Sequence, residues 1–140
     1  MRQFESTITL PAAPGAVWQH MSEVVHWPRW METFEHVEPL DAAELGLARR
    51  FKVQQPRLRA ATWTVTRLEP ARGFTWQARM PGLDMVADHR IETCATGTVV
   101  QLRFGFAGLL GPIVAALYGR LVRNYLQLEC AAYQRRLASS

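Results

Sequence analysis

The chain has few of the residues that build metal centres or disulfide frameworks. Its 140 residues include only two cysteines, Cys94 and Cys130, which are far apart and form no CxxC pair. No histidine cluster lies near either one. This spacing fits none of the common zinc motifs and, in a reducing compartment, predicts two free thiols. We therefore expect no metal site.

Lysine is almost absent, since Lys52 is the only one among 16 basic residues. The net charge is +4, but the arginines are scattered along the chain. A basic face is predicted only near the carboxyl end, at Arg120, Arg123, Arg135 and Arg136. A high isoelectric point alone reports solubility and steering, so we expect no nucleic-acid partner. A weak contact of this face with a membrane surface or a protein partner stays open.

No apolar run is long enough to span a bilayer. The longest, "FAGLLGPIVAALYG", is short and rich in glycine, so it predicts no transmembrane segment. The amino-terminal "MRQFESTITL" alternates after one arginine and lacks the apolar centre of a signal peptide. We therefore expect a cytoplasmic protein, either a monomer or a homodimer.

The motifs of several large enzyme classes are missing as well. The sequence holds no GxSxG elbow, P-loop, HExxH motif or dinucleotide-binding glycine motif. The glycines of "GFAGLLG" precede a terminal helix with no following strand, which indicates a turn. We expect no cofactor. With 49% hydrophobic and 20% charged residues, the composition is that of one globular domain over residues 1–140.

The sequence does contain many segments with the alternation of β-strands. Alternating apolar and polar residues predict seven strands, and several of them are joined by short turns such as "PARG" and "ATG". The predicted segments are "FESTITL", "HVEPL", "LARRFKVQQ", "LRAATWTVTRLE", "GFTWQARM", "DMVADHRIETC" and "TVVQLRFGF". Successive hairpins of this kind predict an antiparallel meander.

Helical spacing appears in two places. "PAAPGAVWQHM" predicts a short helix after the first strand, and Pro28 ends the following turn at Trp27. A long helix is predicted from Leu109 or Pro112 to Leu137. Its apolar stripe is predicted at Leu110, Val114, Leu117, Leu121, Leu128 and Ala132. The predicted fold is α+β, a curved antiparallel sheet of about seven strands around a long carboxyl-terminal helix, with two short helices after strand one.

Several motifs resemble those of the START-like (SRPBCC) superfamily of helix-grip proteins. "PAAPGAVWQHMSEVVHWPRWMETFEHVE" resembles its P-x-x-x-V-W … W-P-x-W entry. "WTVTRLEPARGFTWQARMPG" resembles its central V-x-x-L-x-P … F-x-W … G pattern, and "ATGTVVQLRFGF" resembles its last hairpin. The superfamily includes polyketide cyclase/dehydrase-like and Bet v 1-like proteins. The resemblance implies a cavity between sheet and helix for a small hydrophobic molecule such as a lipid, sterol or polyketide.

Strand alternation indicates which side chains face that cavity. The resemblance also implies that Trp30 points to the cavity entrance while Trp27 packs beneath the first helix. The expected ligand-binding residues are Trp30, Arg49, Phe51, Val53, Trp63, Val65, Trp76, Ala78, Met85, His89, Ile91, Leu102, Phe104, Leu117 and Leu121.

His89 is the one candidate catalytic residue, because it is predicted on an otherwise apolar face. Arg49, Tyr118 or Tyr125 are possible helpers, whereas Asp88 and Glu92 are predicted to point outward, which leaves no carboxylate inside. Three functions remain open. They are a non-catalytic carrier of a hydrophobic molecule, a polyketide cyclase or dehydratase that uses His89, and a non-catalytic interaction module.

Overall fold

The structure, a computed structural model, describes residues 2–138. Seven strands form one antiparallel sheet in the order β1-β7-β6-β5-β4-β3-β2. The strands are β1 (Arg2–Leu10), β2 (His36–Pro39), β3 (Arg50–Gln54), β4 (Ala61–Glu69), β5 (Gly73–Met80), β6 (Leu83–Cys94) and β7 (Gly97–Ala107). The helices are α1 (Pro14–Ser22), a 3₁₀ segment (Val24–Arg29) and α2 (Gly111–Leu137). The predicted element order is confirmed.

The sheet brings the first strand next to the last one. β1 pairs with β7 over its whole length, from Arg2 opposite Phe106 to Leu10 opposite Thr98. The hairpin of β6 and β7 turns at Gly97, whose φ of +145° is in the region that favours glycine. A Cβ atom there would lie 2.0 Å from the carbonyl oxygen of Leu10. Glycine is therefore required where β1 leaves the sheet.

The helix α2 packs on the sheet with a different face from the one predicted. Leu117, expected on the buried stripe, is 74% exposed, and Leu110 is also exposed. The side chains that face the sheet are one position further along the helix, and they include Gly111, Ala115, Gly119, Val122, Leu126, Glu129 and Tyr133. The predicted stripe is wrong by about one residue at Leu110 and Leu117, which is roughly 100° of rotation, whereas Ala132 is buried as predicted.

The reason is the close approach of α2 to the first and last strands. A Cβ atom on Gly119 would lie 2.8 Å from Phe4, and one on Gly111 would lie 3.2 Å from the carbonyl oxygen of Phe106. Only small residues fit at such distances. The leucines of this half of the helix are turned away from the sheet as a result.

Trp27 fills the centre of the core. Its indole contacts the rings of Phe34, Trp76 and His89, with centroids 4.8, 5.5 and 5.5 Å away. The indole Nε1 donates a hydrogen bond to the carbonyl oxygen of His20 in α1, over 3.3 Å. Trp27 thus packs beneath the first helix, as the resemblance implied, and holds the 3₁₀ segment on the sheet.

Candidate ligand-binding cavity

Two adjoining chambers lie between the sheet and α2. The inner chamber, of about 40 Å³, is lined by residues that include Trp76, His89, Leu102, Tyr125, Leu126 and Glu129. The outer chamber, of about 240 Å³, is lined by residues that include Arg59, Met80, Met85, Phe106, Val114 and Tyr118. Six residues line both, namely Val53, Gln55, Leu58, Trp63, Phe104 and Val122. The chambers therefore form one cleft that narrows inward.

The walls of this cleft are mostly apolar. Trp63 stands at the junction, with its ring centroid 5.8 Å from Trp76 on the inner side and 5.8 Å from Phe104. These aromatic rings come from β4, β5 and β7, whose inner residues alternate with exposed ones because of the pleat. A cleft with such walls favours an apolar ligand.

Three buried ionisable groups line the inner chamber, and they are His89 of β6 together with Glu129 and Tyr125 of α2. Burial lowers the pKa of the His89 imidazole to about 4, although its hydrogen bond to Phe74 and the charge of Asp88 act in the opposite direction. Its Nδ1 lies 3.3 Å from the carbonyl oxygen of Phe74. A carbonyl oxygen only accepts, so Nδ1 carries the proton and Nε2 keeps a free lone pair. At neutral pH His89 is an uncharged hydrogen-bond acceptor at Nε2.

The orientation of His89 is fixed by the rings around it. Its imidazole stacks on Phe74 with centroids 4.2 Å apart and planes 10° apart. Trp27 and Trp76 contact the same ring at 5.5 and 5.9 Å. These three contacts restrict rotation of the imidazole, so the position of Nε2 is fixed.

Glu129 is the second buried group, and it was missed in the sequence. Its side chain is on α2 and is 7% exposed, and burial raises the pKa of its carboxyl to about 8. Burial is the whole cause of this shift, and no hydrogen bond within residues 2–138 contributes to it. At neutral pH this carboxyl is therefore mainly protonated and has an O–H to donate. The expectation of no carboxylate inside the cavity is wrong.

Two tyrosines of α2, Tyr125 and Tyr133, are buried, and Tyr125 lines the inner chamber. The hydroxyl of Tyr125 donates to the carbonyl oxygen of Pro56 and so ties the loop 55–60 to the helix. Burial, and next the charge of Glu129, raise the pKa of Tyr133 well above its ordinary value. The Tyr133 hydroxyl is buried and has no partner among the described residues. Tyr133 and Glu129 are therefore neighbours in a region with few hydrogen-bond partners.

The structure places the predicted ligand-binding residues in three groups. Those that line the cleft are Val53, Trp63, Trp76, Met85, His89, Leu102 and Phe104. Those buried in the core without lining either chamber are Phe51, Val65, Ala78 and Ile91. Those that lie elsewhere are Trp30, Arg49, Leu117 and Leu121.

The four misplaced residues have separate physical reasons. Arg49 precedes β3 in a turn where Ala48 has a φ of +65°, so strand alternation does not apply. Its guanidinium donates to the carbonyl oxygen of Glu44 over 2.9 Å. Trp30 packs on the ring of Tyr133 at 5.1 Å instead of at the entrance. Leu117 and Leu121 lie outside the cleft because the buried face of α2 differs from the predicted one.

The residues missed on α2 lie on one face. Val122, Leu126 and Glu129 follow one another at intervals of four and three positions, and Gly111, Ala115 and Gly119 precede them at intervals of four. The signal in the sequence is the series of small residues, which marks the face of a helix that lies close to a neighbouring backbone. Extending that series along the helix leads to Glu129.

The whole sequence matches one family. The family model described as polyketide cyclase/dehydrase and lipid transport matches residues 1–139. The chain belongs to this family. The resemblance to START-like proteins is thereby confirmed. No curated protein matches the chain.

Several solved structures share the fold of this chain. Ara h 8.0201 has a TM-score of 0.68 and 13% identity, and 99% of each chain is covered. TTHA0849 from Thermus thermophilus has a TM-score of 0.76 and 12% identity, with 99% of this chain and 98% of that chain covered. The helix-grip fold is confirmed. At such identities the similarity shows the fold alone.

A further similar structure is longer than this chain. The di-domain ARO/CYC BexL from the BE-7585A biosynthetic pathway has a TM-score of 0.75 and 22% identity. The match covers 96% of this chain and 46% of BexL. The chain thus spans about half the length of BexL.

The described part of the chain contains neither a membrane-spanning helix nor a metal-binding cluster. Residues 2–138 contain no helix that is both long and apolar enough to cross a membrane. The same residues contain no group of three histidine, cysteine or acidic side chains placed to hold a metal ion.

Proposed function

We propose that this protein binds and carries a small, mainly apolar molecule that has a hydroxyl group at one end. The observation that carries this proposal is the pair of buried, uncharged groups, His89 and Glu129, in an inner chamber whose walls are mainly apolar. The family's association with lipid transport supports an apolar ligand. The proposed location is the cytoplasm.

The chemistry of the pair selects the polar end of the ligand. His89 Nε2 accepts a hydrogen bond, and the protonated carboxyl of Glu129 donates one. A hydroxyl donates and accepts, so it satisfies both groups. A carbonyl pairs only with Glu129, and an alkyl end leaves both polar groups buried without partners, which costs about 1–3 kcal/mol for each.

The chamber sizes select the rest of the ligand. An apolar cavity of about 150 Å³ holds benzene, so the outer chamber of about 240 Å³ has room for a larger apolar body. The inner chamber, at about 40 Å³, has room for a polar end group only. We infer that the ligand enters with its hydroxyl toward His89 and its apolar part against Trp63 and Met85.

A matched series of ten-carbon ligands tests this. Quenching of tryptophan emission is titrated with decanol, decanal and decanoic acid, because Trp63 and Trp76 line the cleft. We expect the alcohol to bind most tightly, and Glu129→Leu to weaken alcohol binding by about tenfold. Glu92→Leu, on the exposed face of β6, is the control and should change nothing. Equal affinities for all three ligands, or equal effects of the two substitutions, would contradict the proposal.

A second candidate function is dehydration of a β-hydroxy carbonyl compound. The observation that favours it is the presence of a neutral base and a protonated acid in one chamber. His89 Nε2 would take a proton from the carbon next to the carbonyl, and the C–H electron pair would form the C=C bond. The C–O bond to the hydroxyl would break as Glu129 donates its proton, which releases water. A proton returned from His89 to Glu129 would restore both groups.

The basicity of His89 favours carriage over dehydration. With a pKa of about 4, the imidazole is a weak base at neutral pH, whereas a general base works best with a pKa near the working pH. His89→Gln separates the two functions. In both cases the variant keeps much of its alcohol affinity, because the amide also donates and accepts. The two functions differ in turnover: a dehydratase loses its turnover in this variant, whereas a carrier has none in the wild type either.

A further inference from the structure

Most exposed large hydrophobic side chains of residues 2–138 are gathered in one region. We call it the apolar patch, and it consists of Met80, Leu109, Leu110, Ile113, Leu117 and Tyr118. Leu109 is 92% exposed and Ile113 is 59% exposed. The other exposed residues of this kind, Leu40 and Leu47, lie before β3, away from the patch. A group of this size on one surface marks an interaction site more often than chance.

The apolar patch continues into the outer chamber. Met80 and Tyr118 belong to the patch and also line that chamber. The turn between β5 and β6 is joined to the start of α2, because the backbone N–H of Leu110 donates to the carbonyl oxygen of Gly82 over 2.8 Å. The cleft therefore opens within the patch.

The charge beside the patch is positive. Arg59 lines the outer chamber, and Arg120 follows Leu117 by three positions on the exposed side of α2. After Glu92 the only acidic residue in the sequence is Glu129, which is buried. The exposed side of α2 thus carries arginine and no acid. Asp84, near the β5–β6 turn, already lies 3.9 Å from Arg79.

We propose that the apolar patch docks on the surface of an anionic lipid bilayer. Leucine and isoleucine side chains at one end of an amphipathic helix enter the interface, and arginines beside them attract anionic headgroups. A second copy of this chain fits less well. In a twofold dimer through this patch the Arg59 and Arg120 groups of both copies would be brought together, and the nearby Asp84 already lies beside Arg79.

Docking in this way places the opening of the cleft against the lipid. An apolar ligand then passes between the bilayer and the outer chamber without crossing water. The docking surface and the inner chamber are separate groups of residues. A wild-type protein that binds anionic vesicles but not decanol would overturn the proposed function alone, and one that binds decanol but not the vesicles would overturn the docking proposal alone.

Co-sedimentation with lipid vesicles tests the proposal. One set of vesicles contains phosphatidylcholine with phosphatidylglycerol, and the other contains phosphatidylcholine only. We expect binding to the first set and little to the second, with a fall in affinity when the salt is raised from about 0.1 M to about 0.5 M.

Two pairs of variants identify the surface. Ile113→Gln combined with Leu117→Gln should lower the affinity for anionic vesicles at least about tenfold, whereas Leu47→Gln, at a leucine that is 64% exposed elsewhere, should leave it unchanged. Arg120→Gln should lower the affinity about fivefold, whereas Arg72→Gln, at the opposite end of β5 from Met80, should not.

Three results would overturn the proposal. The first is a wild-type protein that stays in solution with both kinds of vesicle. The second is an equal loss of binding in the patch variant and in Leu47→Gln. The third is a wild-type dimer, measured by light scattering, that the patch variant converts to monomer, because a second copy would then occupy the patch.

Discussion

At the scale of single residues, the carboxyl of Glu129 decides the polarity of the inner chamber. Its pKa is raised to about 8 because burial disfavours the charged form. While it is protonated it is a neutral donor in the chamber that His89 also lines. Once it ionises, an unpaired charge lies among aromatic walls. The state of one proton therefore affects both stability and ligand choice.

Replacement of Glu129 by glutamine tests this proton. The folded-state pKa of about 8 lies above the ordinary value of 4.5, so the wild-type protein loses stability as the pH rises from about 4.5 to about 8. Glutamine does not ionise. We expect Glu129→Gln to match the wild type at pH 5 and to be more stable at pH 8.5, by on the order of 3 kcal/mol. Urea unfolding at both pH values measures the difference.

The control for this experiment is Glu92→Gln, which removes an exposed carboxyl from β6. It should behave alike at the two pH values. An advantage of Glu129→Gln that is the same at pH 5 and pH 8.5 would show that the Glu129 carboxyl is already ionised at pH 5.

The sequence predicts His89 at this scale but not Glu129. Alternation along β6 is regular, so His89 is placed on the inner face with Ala87 and Ile91. Arg49 was placed by the same rule but lies in a turn, where alternation has no meaning. The position of Glu129 depends on the helical face, and the leucine pattern of α2 does not place Glu129 on the buried one. Burial of a carboxyl is rarely predictable from type alone.

At the scale of elements, α2 shows that close packing against a backbone, more than the positions of leucines, decides which face of a helix is buried. Its first half presents Gly111, Ala115 and Gly119 to the sheet and leaves Leu117 in solvent. The strands, in contrast, are well predicted, because an alternating pattern fixes both the element and its buried face. A helix with apolar residues on several sides gives no such constraint.

Two leucines of α2 test the observed face. Leu126 is buried against the inner chamber, and Leu117 is 74% exposed. We expect Leu126→Ala to lower the free energy of unfolding by about 2–4 kcal/mol, and Leu117→Ala to change it by less than about 0.5 kcal/mol. Equal losses, measured by thermal or urea unfolding, would restore the face that the leucine pattern predicts.

At the scale of the whole molecule, His89 and Glu129 together shape the dependence of stability on pH. The folded pKa of His89, about 4, lies below its ordinary 6.5, so stability falls as the pH drops from about 6.5 to about 4. The folded pKa of Glu129 has the opposite effect from about 4.5 to about 8. Between about pH 4.5 and 6.5 the two effects cancel.

We therefore expect stability to change little between about pH 4.5 and 6.5, with a slight rise from His20, whose pKa burial also lowers, and a decline of about 2 kcal/mol from pH 6.5 to pH 8. Unfolding by urea at half-unit pH steps measures this profile. In His89→Gln the stability should instead fall throughout from pH 4.5 to pH 8. A wild-type maximum near pH 8 would contradict the assigned protonation of both groups.

The pairing of β1 with β7 also affects how the chain folds during its synthesis. Arg2 meets Phe106 in the finished sheet, so the first strand has no partner until the seventh has been synthesised. At about 5–20 residues per second, the ribosome leaves β1 unpaired for roughly 5–20 s. Such distant pairing slows folding, since a long loop must close before the contact forms. The nascent chain is therefore open to chaperones, and to mispairing with other nascent chains, until β7 emerges.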